Sequence, residues 1–176
     1  RKLARPNWIE LKDELEAASF EWDGKTIEDG RYEVRITASD ERSNTTSTKL
    51  TGNRISEPVV VDNTGPVVKN MKSSSVLENS GQAPPLAAIQ YRIFEFEVYD
   101  ELSAIGKLEY TIDSNADWIG TVPDDLVYDT TQENFTIKID AKEHLPKGDH
   151  VLTIKVSDAV GNTTFKTFEV NVNGGS

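Results

Sequence analysis

A long internal repeat constrains the fold of this chain more than any other feature. Residues 30–46 read GRYEVRITASDERSNTT and residues 148–164 read GDHVLTIKVSDAVGNTT, and the two align without a gap at an offset of 118 positions. Solenoid units repeat every 20–50 residues or so, which is much shorter than this offset. The repeat therefore indicates two copies of one module within the 176 residues.

Each copy of the repeat begins with the alternating pattern of a half-buried β-strand. Apolar or small side chains alternate with polar ones, and a turn at Gly30 or Gly148 precedes the strand. We therefore predict that Ile36 and Ile154 are equivalent residues, each buried between two sheets. The predicted inward positions are Tyr32, Val34, Ile36 and Ala38 in the first copy and His150, Leu152, Ile154 and Val156 in the second.

The segment DNTGP at residues 62–66 is the best candidate for a domain boundary, because it consists of turn-forming residues and a proline. Strand patterns follow it at the spacing typical of an antiparallel sandwich. The predicted strands of the second module are 67–71, 89–100, 107–113, 118–122, 135–139, the repeat strand from Gly148, and 165–172, with a polar loop at 73–85 and a turn at 142–145. In the first module we predict strands at 8–11, 20–22, 32–38 and 57–61 and a short helical turn at 11–18.

The first copy has too few preceding residues for a complete module. Only 29 residues precede Gly30, whereas the second module begins at Pro66, far ahead of Gly148. The predicted fold is all-β, with tandem antiparallel β-sandwiches of which the first is incomplete. Residues 1–65 form the C-terminal part of one module and residues 66–173 form a complete one. Another copy of the chain, a separate segment of the same protein, or packing on the second module would complete the first.

Composition excludes several classes of function. The net charge of −11 argues against nucleic acid, whose phosphates require Lys and Arg. No apolar run is long enough to insert in a membrane. The absence of cysteine removes disulfides, thiol catalysis and Cys-ligated zinc. No phosphate-binding glycine loop or nucleophile elbow is present, so we expect neither an enzyme nor a cofactor. His150 is interpreted as a residue at the rim of the core, and His144 as a solvated turn residue.

Two kinds of binding site remain as alternatives. Hard oxygen ligands for calcium would come from loops that could converge at the junction, although no EF-hand loop is present and we predict no metal. The candidate ligands are Asp40, Glu41, Asp62, Asn63, Asp100 and Glu101. An aromatic face could instead stack against sugars, and its candidates are Trp8, Trp22, Trp118 and Tyr128.

Motifs of the second module resemble those of bacterial immunoglobulin-like or fibronectin-III-like modules. They are the turn of Asp100, Ser103 and Ile105, the strand of Tyr110, Ile112 and Asp113, the single Trp118, and the closing segment 148–162. The first copy is similar to the tail of a related module through Trp22-Asp23, Asp29-Gly30, Tyr32 and residues 62–66. The resemblance covers most of residues 20–172.

The resemblance implies non-enzymatic spacer or interaction modules of a large secreted, periplasmic or cell-surface bacterial protein. It implies no catalytic residues. The expected partners are other domains of the parent protein, with a protein or glycan ligand also open. The alternative function is a carbohydrate-binding accessory module attached to an enzyme or sensor domain. Sandwich modules often carry a tyrosine corner, so we predict that the Tyr32 hydroxyl returns to a nearby backbone group.

Overall fold

The computed structural model describes residues 1–78 and 89–172, and these residues form an all-β fold. Its strands are β1 (Gly30–Tyr32), β2 (Arg35–Ser39), β3 (Thr51–Ile55), β4 (Val59–Val61), β5 (Val67–Glu78), β6 (Ile89–Tyr99), β7 (Ile105–Ile112), β8 (Ile119–Thr121), β9 (Gln132–Asp140), β10 (Gly148–Asp158) and β11 (Thr163–Val172). A 3-10 helix (Gly24–Thr26) and a one-turn helix, α1 (Ala141–His144), interrupt them. Within the described ranges no helix has the length and apolarity needed to cross a membrane.

The chain divides into two compact units, an N-terminal unit (Arg1–Asn63) and a C-terminal unit (Thr64–Ser176). In the C-terminal unit the strand order is β11-β10-β7-β8 in one antiparallel sheet and β5-β6-β9 in the other. Both sheets contribute to one buried core, which fits a β-sandwich in general. The core consists of Val68, Phe94, Phe96, Val98, Ile105, Leu108, Phe135, Ile137, Ile139, Ala141, Leu145, Leu152, Ile154, Val156 and Val170.

Period-two alternation produces this core. In β9 and β10 buried and exposed side chains alternate along nearly the whole strand, as expected for sheets with one covered face. Strand β5 differs, because most of its side chains are exposed and β6 is its one partner strand in the described part of the chain. Its register shifts between Lys69 and Lys72, where Asn70 takes a left-handed φ of 56°. Asparagine tolerates this conformation better than most residues, so the bulge fits the sequence.

The N-terminal unit is built on one antiparallel hairpin. Strand β1 pairs with β4, and β2 pairs with β3. At the β1–β4 end, Tyr32 and Val61 are buried and Trp22 packs edge-on against Tyr32, with ring centroids 5.8 Å apart. At the other end every residue of β2 and β3 is exposed. The hydrophobic contacts of this unit are therefore concentrated at one end of its hairpin.

The expected equivalence of the two central isoleucines is half correct. Ile154 is fully buried, whereas Ile36 is 67% exposed, so the prediction that Ile36 lies between two sheets is wrong. The reason is local: within the described part of the N-terminal unit, no second sheet covers the β2–β3 end of the hairpin. The alternation of β2 indicates which side chains share a face, but it does not supply the layer that would bury them.

Several other expectations need correction. The return strand of the first hairpin begins at Thr51 rather than at residue 57. Residues 8–11 and 20–22 are not strands and 11–18 is not helical. Helix α1 occupies most of the predicted turn at 142–145. Of the predicted loop at 73–85, residues 73–78 belong to β5, and 79–85 lie outside the described residues, as does residue 173 at the end of the predicted second module.

Candidate functional site: the open edge of the first hairpin

The sequence repeat is also a repeat of structure. The first hairpin consists of β1 and β2 followed by the return strands β3 and β4, and the second consists of β10 and β11. The two begin and close at equivalent positions. The matching pairs are Gly30–Val61 with Gly148–Val172, and Ser39–Thr51 with Ser157–Thr163. The connecting loop is longer in the first hairpin, residues 40–50 against residues 158–162. The first strands thus keep the offset of 118 positions throughout. Most of the length difference lies in the loop, and the return strand of the first hairpin is one residue longer.

The turn before each hairpin has the same conformation and the same side-chain bond. Gly30 and Gly148 have φ values of 151° and 143°, which other residues rarely adopt. The Tyr32 hydroxyl donates to the carbonyl of Glu28 at 2.5 Å, which confirms the predicted return of this hydroxyl to the backbone. The His150 ring bonds through Nε2 to the carbonyl of Pro146 at 2.6 Å. Residues 28 and 146 are themselves equivalent, so a histidine reproduces the tyrosine's bond.

We expect Tyr32→Phe to destabilise the N-terminal unit by about 1 kcal/mol, because the substitution keeps the ring and removes one hydrogen bond to the backbone. The Trp22 indole lies against the Tyr32 ring, so its NMR signal reports on this unit during denaturant unfolding. An unchanged midpoint for that signal would show that the hydroxyl bond does not stabilise the turn.

A second partner fixes the charge of His150. Nδ1 lies 2.6 Å from Oδ2 of Asp113, and the ring is 8% exposed. Asp113 Oδ1 also accepts from the Val151 N–H at 2.7 Å. A carboxylate and a carbonyl can only accept, so both ring nitrogens must donate, which only the imidazolium can do. The pKa of His150 is therefore raised, first by the Asp113 bond and then by Pro146, while that of Asp113 is lowered, first by the His150 bond.

These two shifts predict a window of pH in which the C-terminal unit is most stable. The raised His150 pKa stabilises the fold below about 6.5, its unfolded value, and this contribution disappears as the pH rises through the folded pKa. The lowered Asp113 pKa contributes above about 3.9 and is lost on acidification. We expect a lower denaturation midpoint at pH 8.5 than at pH 6. His144→Gln should retain this difference because His144 is exposed, and Asp113→Asn should reduce it. An equal difference in Asp113→Asn would contradict the assignment.

The first three residues extend the sheet along the outer edge of the first hairpin. The Arg1 nitrogen donates to the Glu33 carbonyl at 2.8 Å and the Glu33 N–H donates to the Arg1 carbonyl at 2.9 Å. The Leu3 N–H donates to the Arg31 carbonyl at 2.8 Å. In the second hairpin, the position equivalent to Glu33 is Val151, whose carbonyl accepts from the Asp113 N–H at 3.0 Å. Arg1 therefore occupies the place that Asp113, the residue after β7, has in the C-terminal unit.

Beyond Arg1 the same edge is open. The N–H of Val34 and that of Asp40 both point to the β3 side, bonding to Ser56 Oγ at 3.0 Å and to the Leu50 carbonyl at 3.2 Å. Backbone groups alternate in direction along a strand, so those of the odd-numbered residues of β2 point away from β3. Within the described residues no backbone pairing covers that side of β2. The equivalent residues of β10, namely Thr153, Lys155 and Ser157, pair with β7.

Several of the calcium candidates bond to groups within their own unit. Asp40 Oδ1 accepts from the Leu50 N–H at 2.7 Å, and Glu41 forms an ion pair with Lys49 at 2.9 Å. The Asn63 amide donates to Asp29 Oδ1 at 3.0 Å. Asp62 is half-buried after β4, and Glu101 is exposed beside Asp100. These bonds explain Asp40, Glu41 and Asn63 as turn and loop residues. The expectation of no metal stays a prediction, with calcium as its alternative.

The structure brings Asp100 close to Asp158, a neighbour that sequence reasoning did not propose as a ligand. Both side chains are 4% exposed, and their carboxylate oxygens lie within 4.8 Å. Asp100 Oδ1 accepts from the Leu102 and Ser103 N–H groups at 2.9 and 2.8 Å. Asp158 Oδ1 accepts from the N–H groups of residues 160, 161 and 162 at 2.6–3.0 Å. The two carboxylates therefore cap neighbouring loops.

The aromatic candidates do not form a row within either unit. Trp22 packs on Tyr32, while the Trp8 ring lies under the guanidinium of Arg35, 4.4 Å from its centroid. The Tyr128 hydroxyl donates to the Thr121 carbonyl at 2.6 Å, so this residue supports the C-terminal unit. Trp118 alone packs against an exposed aromatic, Phe165, with centroids 5.9 Å apart.

Comparison with known proteins adds no relative: no protein-family model, no curated protein and no solved structure matches the chain significantly. The strongest functional signal is therefore internal to the chain. One hairpin occurs twice. Its outer edge is paired by β7 in the C-terminal unit and, among the residues that the structure describes, by residues 1–3 in the N-terminal unit. The bond from a side chain two residues after the glycine to the carbonyl two residues before it, here called the corner bond, could have been predicted for His150 from the offset alone. By contrast, nothing in the composition of residues 1–3 indicates strand pairing.

Proposed function

We propose that the chain is a tandem of immunoglobulin-like or fibronectin-III-like modules that act as non-enzymatic spacer and interaction segments of a larger secreted or cell-surface bacterial protein. The observation that carries the proposal is the repeated hairpin with its repeated corner bond, Tyr32 to Glu28 and His150 to Pro146. A turn and bond conserved across two copies are features of a structural module. The proposed partners are other domains of the parent protein and a protein ligand.

The strand order of the C-terminal unit supports this assignment. Lettered A to G in chain order, β5, β6 and β9 become strands A, B and E, and β7, β10 and β11 become C, F and G. Immunoglobulin-type sandwiches place A, B and E in one sheet and C, F and G in the other. Strand β8, the fourth, pairs with β7 at the edge of the second sheet. Tyr32 and His150 lie at the start of strand F in their copies, where the tyrosine corner of such domains is found.

A spacer must resist force as a unit, and single-molecule pulling on the full chain tests this. We expect the described strands from Val67 to Val172 to unfold in one step that lengthens the chain by roughly 350 Å, at about 3.5 Å per residue. Their shared core predicts cooperative unfolding. Gradual extension at low force without this step would contradict the spacer role.

The carbohydrate-binding alternative rests on one observation in the C-terminal unit. Trp118 and the 59% exposed Phe165 form an aromatic pair, and Lys155 lies 5.5 Å from the Trp118 ring centroid. A screen of soluble polysaccharides by affinity electrophoresis tests it, with Trp118→Ala as the variant and Trp8→Ala as the control. Retardation that Trp118→Ala abolishes and Trp8→Ala leaves unchanged would replace the interaction role with sugar binding.

A further inference from the structure

We propose that the open edge of β2 binds one extended β-strand of a polypeptide in antiparallel pairing, in the position that β7 has beside β10. The inference deepens the proposed interaction role and rests on it, because it names the kind of partner that the N-terminal unit takes. The proposal is supported by the backbone groups of Arg35, Thr37 and Ser39, which point outward from β2. They continue the edge that Arg1 already pairs.

The repeat determines the register of the partner strand. In the C-terminal unit Thr153, Lys155 and Ser157 pair with Thr111, Glu109 and Lys107 of β7, and Asp113 follows at the carboxyl end of that strand. Arg1 makes the backbone contact of Asp113 in the N-terminal unit. The partner strand should therefore run antiparallel to β2, cover about eight residues as β7 does, and end beside Arg1.

The side chains of β2 define the chemistry of the partner. Ile36 and Ala38 are exposed on one face, where their equivalents Ile154 and Val156 are fully buried against a partly apolar strand. A partner with apolar side chains at alternate positions would extend this apolar face. Arg35 lies at the end of β2 near Arg1, and Asp40 follows the other end. We therefore expect an acidic residue near the carboxyl end of the partner and a basic residue near its amino end.

A second copy of the chain is the less suitable partner. Its own β7 cannot serve, because Ile105 and Leu108 of that strand are 1% and 0% exposed within the core. Its β2 carries only Ile36 and Ala38 as apolar side chains between polar ones. It is also shorter than the pairing of β7 with β10, with five residues against seven pairs. Strand addition to an unpaired edge is a common mode of peptide recognition and depends on main-chain bonds, which the free edge of β2 offers.

The test joins a strand to the full chain so that its effective concentration is high. The β7 sequence, Ile-Gly-Lys-Leu-Glu-Tyr-Thr-Ile, is placed directly before Arg1. The control extension replaces its Leu, Tyr and second Ile with Ser, which removes the alternate apolar side chains. Amide hydrogen exchange of Thr37 is then measured by NMR. We expect the β7 extension to slow this exchange by at least about tenfold and the Ser extension to leave it unchanged.

Thr37→Pro provides a matched variant. The Thr37 N–H points away from β3, so proline removes a donor from the open edge without removing a bond of the hairpin. With the β7 extension, Thr37→Pro should abolish the slowing at Arg35 and Ser39, and Thr37→Ala should preserve it. Retained slowing in Thr37→Pro would overturn the proposed pairing.

Two further results would also overturn the proposal. In the first, the β7 extension does not slow amide exchange at Thr37. In the second, Thr37 exchange slows with increasing protein concentration in the chain without any extension, which would make a second copy the partner. Failure of the spacer role is distinguishable. If the unfolding step is absent but the β7 extension slows Thr37 exchange, only the spacer role is wrong. If the unfolding step is present but the extension does not slow Thr37 exchange, only the strand-binding site is wrong.

Discussion

Ile154→Ala should destabilise the C-terminal unit by roughly 2–5 kcal/mol, whereas Ile36→Ala should change the stability of the N-terminal unit by less than about 0.5 kcal/mol. The two residues occupy equivalent positions of the repeat, and Ile154 is fully buried while Ile36 is 67% exposed. Truncation of a buried isoleucine removes transfer free energy and leaves a cavity. Truncation of an exposed one removes little contact with the fold.

Denaturant unfolding followed by resolved NMR signals of each unit measures both changes under the same conditions. The comparison is matched, because the same substitution is made at the same strand position next to a cationic cross-strand neighbour, Arg54 for Ile36 and Lys166 for Ile154. Comparable losses in the two variants would show that a partner covers Ile36 in solution. A small loss for Ile154→Ala would contradict its place in the core.

Alternation predicted most strands of the C-terminal unit well, because one face of each of these strands lies against the core. Both ends of β6 and β7 and the start of β10 lie within two residues of their predicted positions, and Ile154 is buried as expected. Strands with mostly exposed side chains gave weaker signals. The polar residues 73–78 belong to β5 although they suggest a loop, since they pair with β6 while most of their side chains face solvent. Backbone pairing leaves no hydrophobic pattern when neither face is covered.

The N-terminal unit shows a second limit of sequence reasoning. The pattern of β2 correctly places Ile36 and Ala38 on one face, but burial depends on a layer that the strand's own sequence does not describe. Strand β3, with the sequence TGNRI, is exposed throughout and was missed for the same reason as the end of β5. The pairing of Arg1 with Glu33 depends on where the backbone runs, so side-chain periodicity contains no information about it.

The corner bond was predictable for one copy of the repeat and only partly for the other. A tyrosine placed two residues after a glycine turn predicted its own hydroxyl bond, because sandwich domains use that arrangement repeatedly. For the histidine at the equivalent position the sequence indicates only a residue at the rim of the core. In the structure its two ring nitrogens bond to Pro146 and to Asp113, the residue that follows β7. The second bond requires β7 to be present, which explains why only the copy with that strand contains it.

Hydrogen exchange should reveal the unequal support of the two hairpins. The amides of Ile36 and Ala38 bond only to β3 in an exposed two-stranded ladder, and such ladders are marginally stable in water. The equivalent amides of Ile154 and Val156 lie in the interior of a four-stranded sheet over the core. If the latter pair opens only by global unfolding, at about 5 kcal/mol or more, it should exchange roughly a thousandfold more slowly than the former. Equal protection in a strictly monomeric sample would show that the first hairpin is as well supported as the second.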